Sequence, residues 1–250
     1  MPPDILNERK RIWETKEILR KLYSRWYGLI SDFIRPGVRL ELGGGSGNLK
    51  EYFPDAVCSD VSFVPWLDAV LDAQKLPFKD ESVDSIVLFD VLHHLMSPAQ
   101  FFREAERVLK PEGRIVLMEP YVSWASYFVY RFLHQEGMDG HVKPLDTAFR
   151  EEGKEPFSGN QAIPTLIFEK YRKKFDAAFP RLIVIREEKM DTLLYPLSGG
   201  FHSTSFCPMA FYGFFEAIEK LFHRFNRFLA FRLFVVIEKR FDHGMPRWRP

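Results

Sequence analysis

The sequence predicts an α/β fold with a Rossmann-like, mostly parallel sheet, and three observations support this. Short apolar strands alternate with helices between residues 38 and 120, a spacing typical of right-handed βαβ units. The first of these strands ends in an acidic residue and turns through a glycine-rich run, ELGGGSGN, at residues 41–48. A second strand ends in Asp60, 19 residues after Glu41. Together these features predict a nucleotide-like ligand above the first turn.

The composition is that of a soluble globular protein. Of the 250 residues, 46% are hydrophobic and 28% are charged, and the net charge of +1 gives no argument for a nucleic-acid partner. The two cysteines, Cys58 and Cys207, indicate neither a disulfide framework nor a zinc site, so we expect a reducing, cytoplasmic setting. The amino terminus lacks the apolar core of a secretory signal, and no stretch is apolar for long enough to span a membrane.

We expect an N-terminal helical cap over residues 1–36 and a single α/β domain over residues 37–250, which would carry the catalytic site. Apolar residues recur at near-helical spacing between Asn7 and Phe33, which predicts one or two amphipathic helices. Between Glu8 and Arg25 there are seven Lys or Arg residues against three Glu. We favour a solvated helix face for these charges over contact with an anionic surface.

Further elements follow from short apolar runs and from helix start and stop signals. Ser97 and Pro98 suit the cap and first position of a helix, and the run 111–113 (PEG) ends it. The predicted strands are residues 38–42, 56–60, 83–89, 114–119, 181–185 and 229–238. The predicted helices after the glycine run are residues 48–52, 66–71, 98–109 and 208–225.

The glycine run favours a ligand that carries no pyrophosphate. No Lys-Ser/Thr pair follows the glycines, so the run is not a phosphate loop, and it lacks the G-x-G-x-x-G spacing of dinucleotide folds. Asp60, at the end of the second strand, can accept hydrogen bonds from both ribose hydroxyls. Glu41 can brace the glycine loop or meet a positively charged group of the ligand.

Five runs in order resemble the class I S-adenosylmethionine-dependent methyltransferases: ELGGGSG, SDVS, DAQKLPF, FDVLHHL and EAERVLKPEGRIVLMEP. The resemblance covers about residues 38–120 and is closest to the branch with DVLHHL and RVLKPGGR signatures. It implies a seven-stranded, mostly parallel sheet with an antiparallel C-terminal hairpin and helical lid insertions. One departure is Glu112, where the family usually has glycine, and we expect a different turn geometry there.

The resemblance implies S-adenosyl-L-methionine as the cofactor and places residues of this chain around it. Residues around the methionine part would be Glu41, Gly43, Gly44 and Gly45. Asp60 would bind the ribose, and Val61, Asp72 and Ala73 would border the adenine. Phe89 and Asp90 would line the pocket near the sulfonium.

Two adjacent histidines, His93 and His94, follow the predicted strand at residues 83–89. A packing role is favoured for His93. For His94, a structural hydrogen bond near the pocket and contact with the cofactor are equally supported, and we include His94 in the predicted cofactor site.

The methyl acceptor must bind at the carboxyl ends of the strands, so its catalytic groups should follow the strand at 114–119. The run HQEGMDGH at residues 134–141 offers His134 as a general base and Glu136 as the residue that orients it. A solvated glycine-bearing loop is an equally supported alternative. A metal site built with Asp139 and His141 is less favoured, because the spacing matches no defined metal motif, and we predict no metal.

Two insertions, at about residues 121–180 and 192–227, are expected to form a lid over the acceptor. Gly199 and Gly200 offer a hinge for it. Aromatic residues of the second insertion suggest an apolar wall: Phe201, Phe206, Phe211, Tyr212, Phe214 and Phe215. These aromatics either pack the lid on the sheet or bind a hydrophobic or lipid-linked acceptor.

The carboxyl-terminal part of the chain is basic as well as aromatic. Residues 220–250 carry eight Lys or Arg residues against two acids. Peripheral contact with an anionic membrane, or a phosphate-linked substrate, is therefore one hypothesis.

The sequence thus predicts a methyltransferase that acts on oxygen of a small or a lipid- or sugar-linked molecule. N- or C-methylation is the first alternative, and a non-catalytic cofactor-binding module is the second.

Overall fold

One seven-stranded sheet organises the molecule and confirms the predicted fold class. The computed structural model describes residues 3–132, 136–146, 149, 158–201 and 204–241. The strands are β1 (Arg39–Leu42), β2 (Val57–Asp60), β3 (Ala69–Val70), β4 (Val83–Phe89), β5 (Leu109–Pro120), β6 (Leu182–Met190) and β7 (Arg232–Lys239).

The strand order is β3-β2-β1-β4-β5-β7-β6, and β7 is antiparallel to both of its neighbours, β5 and β6. The pairs β1–β2, β1–β4, β2–β3 and β4–β5 are all parallel. The chain therefore reverses direction across the sheet between β1 and β4, which is where open α/β sheets bind ligands. The predicted antiparallel C-terminal pair is β6 with β7.

Helices cover both faces of the sheet. They are α1 (Pro3–Thr15), α2 (Glu17–Ser31), α3 (Pro98–Val108), α4 (Trp124–Phe132), α5 (Ile163–Thr165), α6 (Arg172–Ala178), α7 (Leu194–Ser198), α8 (Tyr212–Phe222) and α9 (Asn226–Leu229). A one-turn 3₁₀ helix follows the glycine loop at Asn48–Glu51, and a π-helical turn spans Leu166–Lys170.

The two faces carry separate hydrophobic cores. On one face α1 and α2 bury Trp13, Leu22 and Trp26 with side chains of α7 and α8. On the other face α3 packs under the sheet together with the segment that contains α5 and α6. The two predicted amino-terminal helices are confirmed, and α2 buries the apolar face that its spacing predicts.

The predicted helix at residues 66–71 is wrong, because this segment pairs with the sheet instead. Ala69 and Val70 form β3 beside Ser59 and Asp60. The Asp68 carboxylate accepts a hydrogen bond from Cys58 N at 2.8 Å, and Asp68 N donates to Cys58 O at 2.8 Å. These bonds hold the segment extended along β2, so sheet pairing outweighs local helix propensity.

The segment 121–180 divides into two structural parts. Phe168, Phe175 and Phe179 pack around Phe102 of α3, with the Phe102 and Phe175 ring centroids 4.9 Å apart. This carboxyl-terminal part therefore belongs to the core beneath the sheet. The amino-terminal part, α4 and residues 136–146, lies beyond the carboxyl end of β5.

The segment after α7 is held at the residues predicted to be a hinge. Gly199 and Gly200 have φ values of +71° and +51°, and a Cβ on Gly199 would lie 2.2 Å from Thr204 O. Lys16 Nζ donates to Gly200 O at 2.8 Å. Glycine at position 199 therefore permits a tight end of α7. Lys16, between α1 and α2, contacts this end directly.

Glu112 lies within β5 at an irregularity in its pairing with β4, and its φ of +64° is a conformation that glycine favours. For a residue with a Cβ, this left-handed conformation costs about 1–2 kcal/mol.

Among the helices of the described residues, none has both the length and the apolarity to cross a bilayer.

Candidate functional site

The glycine loop joins β1 to the 3₁₀ turn and requires glycine at several positions. Gly43, Gly45 and Gly47 have φ values of +72°, +49° and +78°. A Cβ on Gly43 would lie 2.4 Å from Val91 Cγ2, so a side chain there would collide with the turn after β4. Gly44 N donates to Ser59 O at 2.8 Å and ties the loop to β2. The loop thus exposes backbone that a ligand can approach closely.

Glu41 is a buried carboxyl at the end of β1. Its side chain is next to Gly44, where a Cβ would lie 2.7 Å from Glu41 Oε2. No group among the described residues hydrogen-bonds this oxygen. Burial raises the pKa of Glu41 to about 7. A buried carboxyl of this kind is suited to bind a cationic group, such as the amino group of an amino-acid ligand.

Asp60 connects the end of β2 to the glycine loop. Its Oδ2 accepts a hydrogen bond from Gly45 N at 3.1 Å, and its Oδ1 accepts from Ser62 N at 3.0 Å. Each carboxylate oxygen retains a lone pair for a further donor. Val61, the next residue in the chain, has 48% of its surface exposed.

Asp72 and Ala73 lie beside the same strand end. Leu71 N donates to Asp60 O at 3.0 Å, which fixes the start of this segment. Asp72 Oδ1 accepts from Gln74 N at 2.8 Å, and Ala73 is buried. The structure therefore brings Glu41, the glycines, Asp60, Asp72 and Ala73 to one edge of the sheet.

Phe89 and Asp90 leave β4 at that edge but contact other elements. The Phe89 ring stacks on Tyr23 of α2 at 4.6 Å between centroids. Asp90 has φ of +57°, and its Oδ1 accepts from Arg232 Nη1 at 2.6 Å. The charge of Asp90 is therefore paired within the protein.

Arg232 is a site residue that the sequence analysis missed. It begins β7, is 1% exposed, and its guanidinium lies 5.2 Å from the Trp26 ring centroid and 5.0 Å from that of Tyr195. Burial lowers its pKa, but Asp90 and neighbouring tyrosines together raise it above the usual value. Its signal in the sequence is a single cation within the apolar run LAFRLFVVI, which predicts a buried ion pair.

His93 has a larger role than the packing role favoured from the sequence. Its Nδ1 lies 2.7 Å from Glu119 Oε2, and its Nε2 lies 3.2 Å from Glu136 Oε2. Glu119 is fully buried, and its Oε1 accepts from Val91 N and Leu92 N at 2.8 Å each. Burial lowers the His93 pKa, but the two carboxylates outweigh it and raise the pKa to about 9.

The sequence analysis also missed Glu119, although the position of this residue at the end of a predicted strand could have indicated it. It comes at the end of β5, and His93 follows β4, the parallel neighbour of β5. The carboxyl ends of neighbouring parallel strands meet at one edge of the sheet, so the two residues could have been paired from the sequence.

Glu136 joins this cluster, whereas His134 lies outside the described residues. Glu136 Oε1 is 3.8 Å from His94 Nε2, and Gln161 Nε2 donates to Glu136 Oε2. The Asp139 carboxylate accepts from His141 N at 2.8 Å. The ligand atoms of His93, His94 and Glu136 lie within 4.8 Å of one another, a different group from the one considered with Asp139 and His141.

Comparison with known proteins identifies the class of the central domain. Residues 40–117, which run from β1 through β5, match the family model described as a methyltransferase domain. The glycine loop, Asp60, Asp90 and the two histidines all lie within the matched residues. This part of the chain therefore matches a methyltransferase domain, in agreement with the predicted enzyme class and cofactor.

The curated relatives match over limited stretches. A demethylmenaquinone methyltransferase from Streptomyces avermitilis is 37% identical over 65 residues, 25% of this chain and 28% of that protein. One from Renibacterium salmoninarum is 32% identical over 112 residues, 38% and 47% of the two chains. A ubiquinone/menaquinone biosynthesis C-methyltransferase from Bordetella avium is 28% identical over 133 residues, 40% and 51% of the two chains. The chain spans about half or less of the length of these relatives.

Solved structures share the fold over most of the chain. The PH0226 protein from Pyrococcus horikoshii superposes with a TM-score of 0.51 at 15% identity, covering 92% of this chain and 99% of that one. The [4+2]-cyclase SpnF gives a TM-score of 0.52 at 17% identity, covering 87% and 82%. Since one of these proteins is a cyclase, the fold alone does not fix the reaction.

Proposed function

We propose that the protein transfers a methyl group from S-adenosylmethionine to a hydroxyl oxygen of a small or lipid-linked molecule. The observation that carries this proposal is the buried Glu41 carboxyl beside the glycine loop, with Asp60 on the adjoining strand. When bound, S-adenosylmethionine supplies an electrophilic methyl group on a sulfonium sulfur.

Residues of the methyltransferase domain would hold the cofactor in distinct ways. Glu41 would bind the methionine amino group, for which its unpartnered Oε2 is suited. Asp60 would bind the ribose hydroxyls, and Val61, Asp72 and Ala73 would border the adenine. The glycines would allow close approach of the backbone, while Phe89, Asp90 and His94 would line the reacting end.

A hydroxyl acceptor must lose its proton, and we assign this step to His134, with Glu136 as a positioning residue. Glu136, which follows His134 by two residues in the chain, contacts His93 and His94 at the carboxyl edge of the sheet. His93, with a pKa of about 9, holds a proton at neutral pH and is unsuited to be the base. Alignment of the acceptor supplies most of the remaining rate enhancement.

C-methylation is a second candidate, favoured by the names of the quinone-pathway relatives. A hydroquinone acceptor suits both candidates, because loss of the hydroxyl proton activates its oxygen and its ring carbons alike. The protein would work in the cytoplasm, with α4 and residues 136–146 as the lid beside the acceptor.

The proposal is tested with methyl-labelled S-adenosylmethionine and reduced demethylmenaquinone as the acceptor probe. We expect labelled product, and a loss of about 100-fold or more in kcat for His134→Ala, the scale of general-base catalysis. His141→Ala is the matched control, since His141 is an exposed histidine in the same loop.

Mass and NMR analysis of the product distinguishes an O-methyl from a C-methyl group. Near-normal turnover by His134→Ala would remove it from the mechanism. Cofactor binding without methylation of this probe or of a panel of phenols and hydroxy-lipids would favour a non-catalytic module.

A further inference from the structure

Helix α4 turns its aromatic residues outward. Trp124, Phe128 and Phe132 recur every four residues and are 76%, 63% and 71% exposed. The opposite face of the helix is buried, with Tyr130 Oη donating to Phe231 O at 2.7 Å. An amphipathic helix of a globular protein normally directs its apolar stripe to the core, so α4 has the reverse arrangement.

A second outward stripe runs along α8 and α9. Phe214, Leu221, Phe225 and Phe228 follow helical spacing and are 61%, 75%, 53% and 45% exposed. The inward side instead carries Glu219, whose Oε1 accepts from Leu193 N and Leu194 N at 2.8 Å each. On this helix the Glu219 carboxylate is largely buried, with 10% of its side chain exposed, while these apolar side chains face outward.

The two stripes meet to form one continuous surface. The ring centroids of Trp124 and Phe228 lie 6.0 Å apart, with the planes at 78°. We call this the aromatic surface; it consists of Trp124, Phe128, Phe132, Leu221, Phe225 and Phe228. A contiguous exposed apolar patch of this kind marks a binding surface.

The exposed charged side chains of these segments are positive. Arg131, Lys220, Arg224 and Arg227 are exposed. The two acids of α8 are paired, Glu216 with Lys220 at 3.3 Å and Glu219 with Arg25 at 3.4 Å. A second copy of the chain docked face to face would bring these cations together, which opposes self-association.

We propose that the aromatic surface docks the protein on an anionic membrane. Helices that lie in the membrane interface carry Trp, Phe and Leu on one face, with Lys and Arg beside them. Negative lipid headgroups attract the basic side chains, while the aromatics enter the acyl boundary.

The basic residues of the amino-terminal helices are less available for this role. Arg20 and Arg25 form ion pairs with Glu51 and Asp191, and the Lys10 ammonium lies 5.0 Å from the Trp66 ring centroid. The proposed docking surface therefore lies on α4, α8 and α9 and not on the amino-terminal helices.

The aromatic surface adjoins the candidate site through its flanking strands. Helix α4 follows β5, and α9 leads into β7, where Arg232 binds Asp90. Docking would therefore bring the carboxyl edge of the sheet to the bilayer surface. Delivery of a lipid-linked acceptor rests on the proposed function, but membrane binding itself does not.

Co-sedimentation of the full chain with vesicles tests the proposal. We expect binding to phosphatidylcholine vesicles that contain about one-third phosphatidylglycerol, and weaker binding at high salt. Trp124→Ala/Phe128→Ala should lower the partition coefficient about tenfold or more, since both side chains lose apolar burial. Ile185→Ala, an exposed apolar residue on the edge strand β6, is the control and should bind normally.

Arg224→Gln/Arg227→Gln should reduce the preference for anionic vesicles while retaining weak binding to neutral ones. The proposal is overturned if wild-type protein stays in the supernatant at low salt, or if Trp124→Ala/Phe128→Ala binds as wild type does. It is also overturned if light scattering detects a dimer that this double variant abolishes. Cofactor binding measured on the same samples separates these outcomes from failure of the methyltransferase proposal.

Discussion

At the scale of single residues, the candidate site is built from buried and partly buried carboxyls with different partners. Asp60 bonds to the glycine loop, Asp90 pairs with Arg232, and Glu119 pairs with His93. Glu41 differs because no described cation contacts its Oε2. Its ionisation in the free protein is therefore costly, and a cationic ligand would reverse that cost.

This contrast predicts a pH-dependent stability that Glu41 controls. Its folded-state pKa of about 7 lies above the ordinary value of 4.5, so the folded state holds its proton more tightly than the unfolded state. The free energy of unfolding should therefore fall by about 3 kcal/mol between pH 4.5 and 7 from this group. Urea denaturation of Glu41→Gln should lack this decrease, whereas Glu14→Gln, at an exposed position, should retain it. Identical pH profiles for Glu41→Gln and wild type would contradict the assignment.

At the scale of elements, sequence patterns located six of the seven strands because each contains a short apolar run, but β5 begins before the predicted residues 114–119 and β6 extends beyond residues 181–185. The β4 prediction, residues 83–89, agrees with Val83–Phe89 at both ends. Residues 66–71 were mispredicted because β3 is formed by pairing with β2, a contact that local propensity does not encode. Residues 163–179 fall within the insertion predicted at about residues 121–180, and their packing on α3 depends on a distant partner that the sequence does not indicate.

The packing of α6 on α3 predicts a large stability effect at one phenylalanine. Phe175 is fully buried between Phe102 and Phe179. Phe175→Ala should lower the free energy of unfolding by about 3–5 kcal/mol through lost burial and a cavity. Phe132→Ala, on the exposed face of α4, should change it by no more than about 0.5 kcal/mol. Equal effects in the two variants would exclude a core role for this segment.

At the scale of the whole molecule, the grouping of Glu41, the glycine loop and Asp60 was predictable, and the cluster around Glu136 was not. Glu41, the glycines and Asp60 lie within one βαβ unit, so their order in the sequence fixes their proximity. His93, Glu119, Glu136 and Arg232 come from four separate segments, and only the sheet order brings them to one edge. This cluster therefore depends on long-range contacts that a single sequence does not specify.

The proposed function requires that the Glu41–Asp60 edge binds S-adenosylmethionine, and calorimetric titration measures this binding. We predict saturable binding by the full chain and an affinity at least about tenfold weaker in Asp60→Ala, the loss expected for hydrogen bonds to a charged group. Asp55→Ala, at an exposed aspartate just before β2, should bind as wild type does. No binding by the wild-type chain, or an unchanged Kd in Asp60→Ala, would contradict the account.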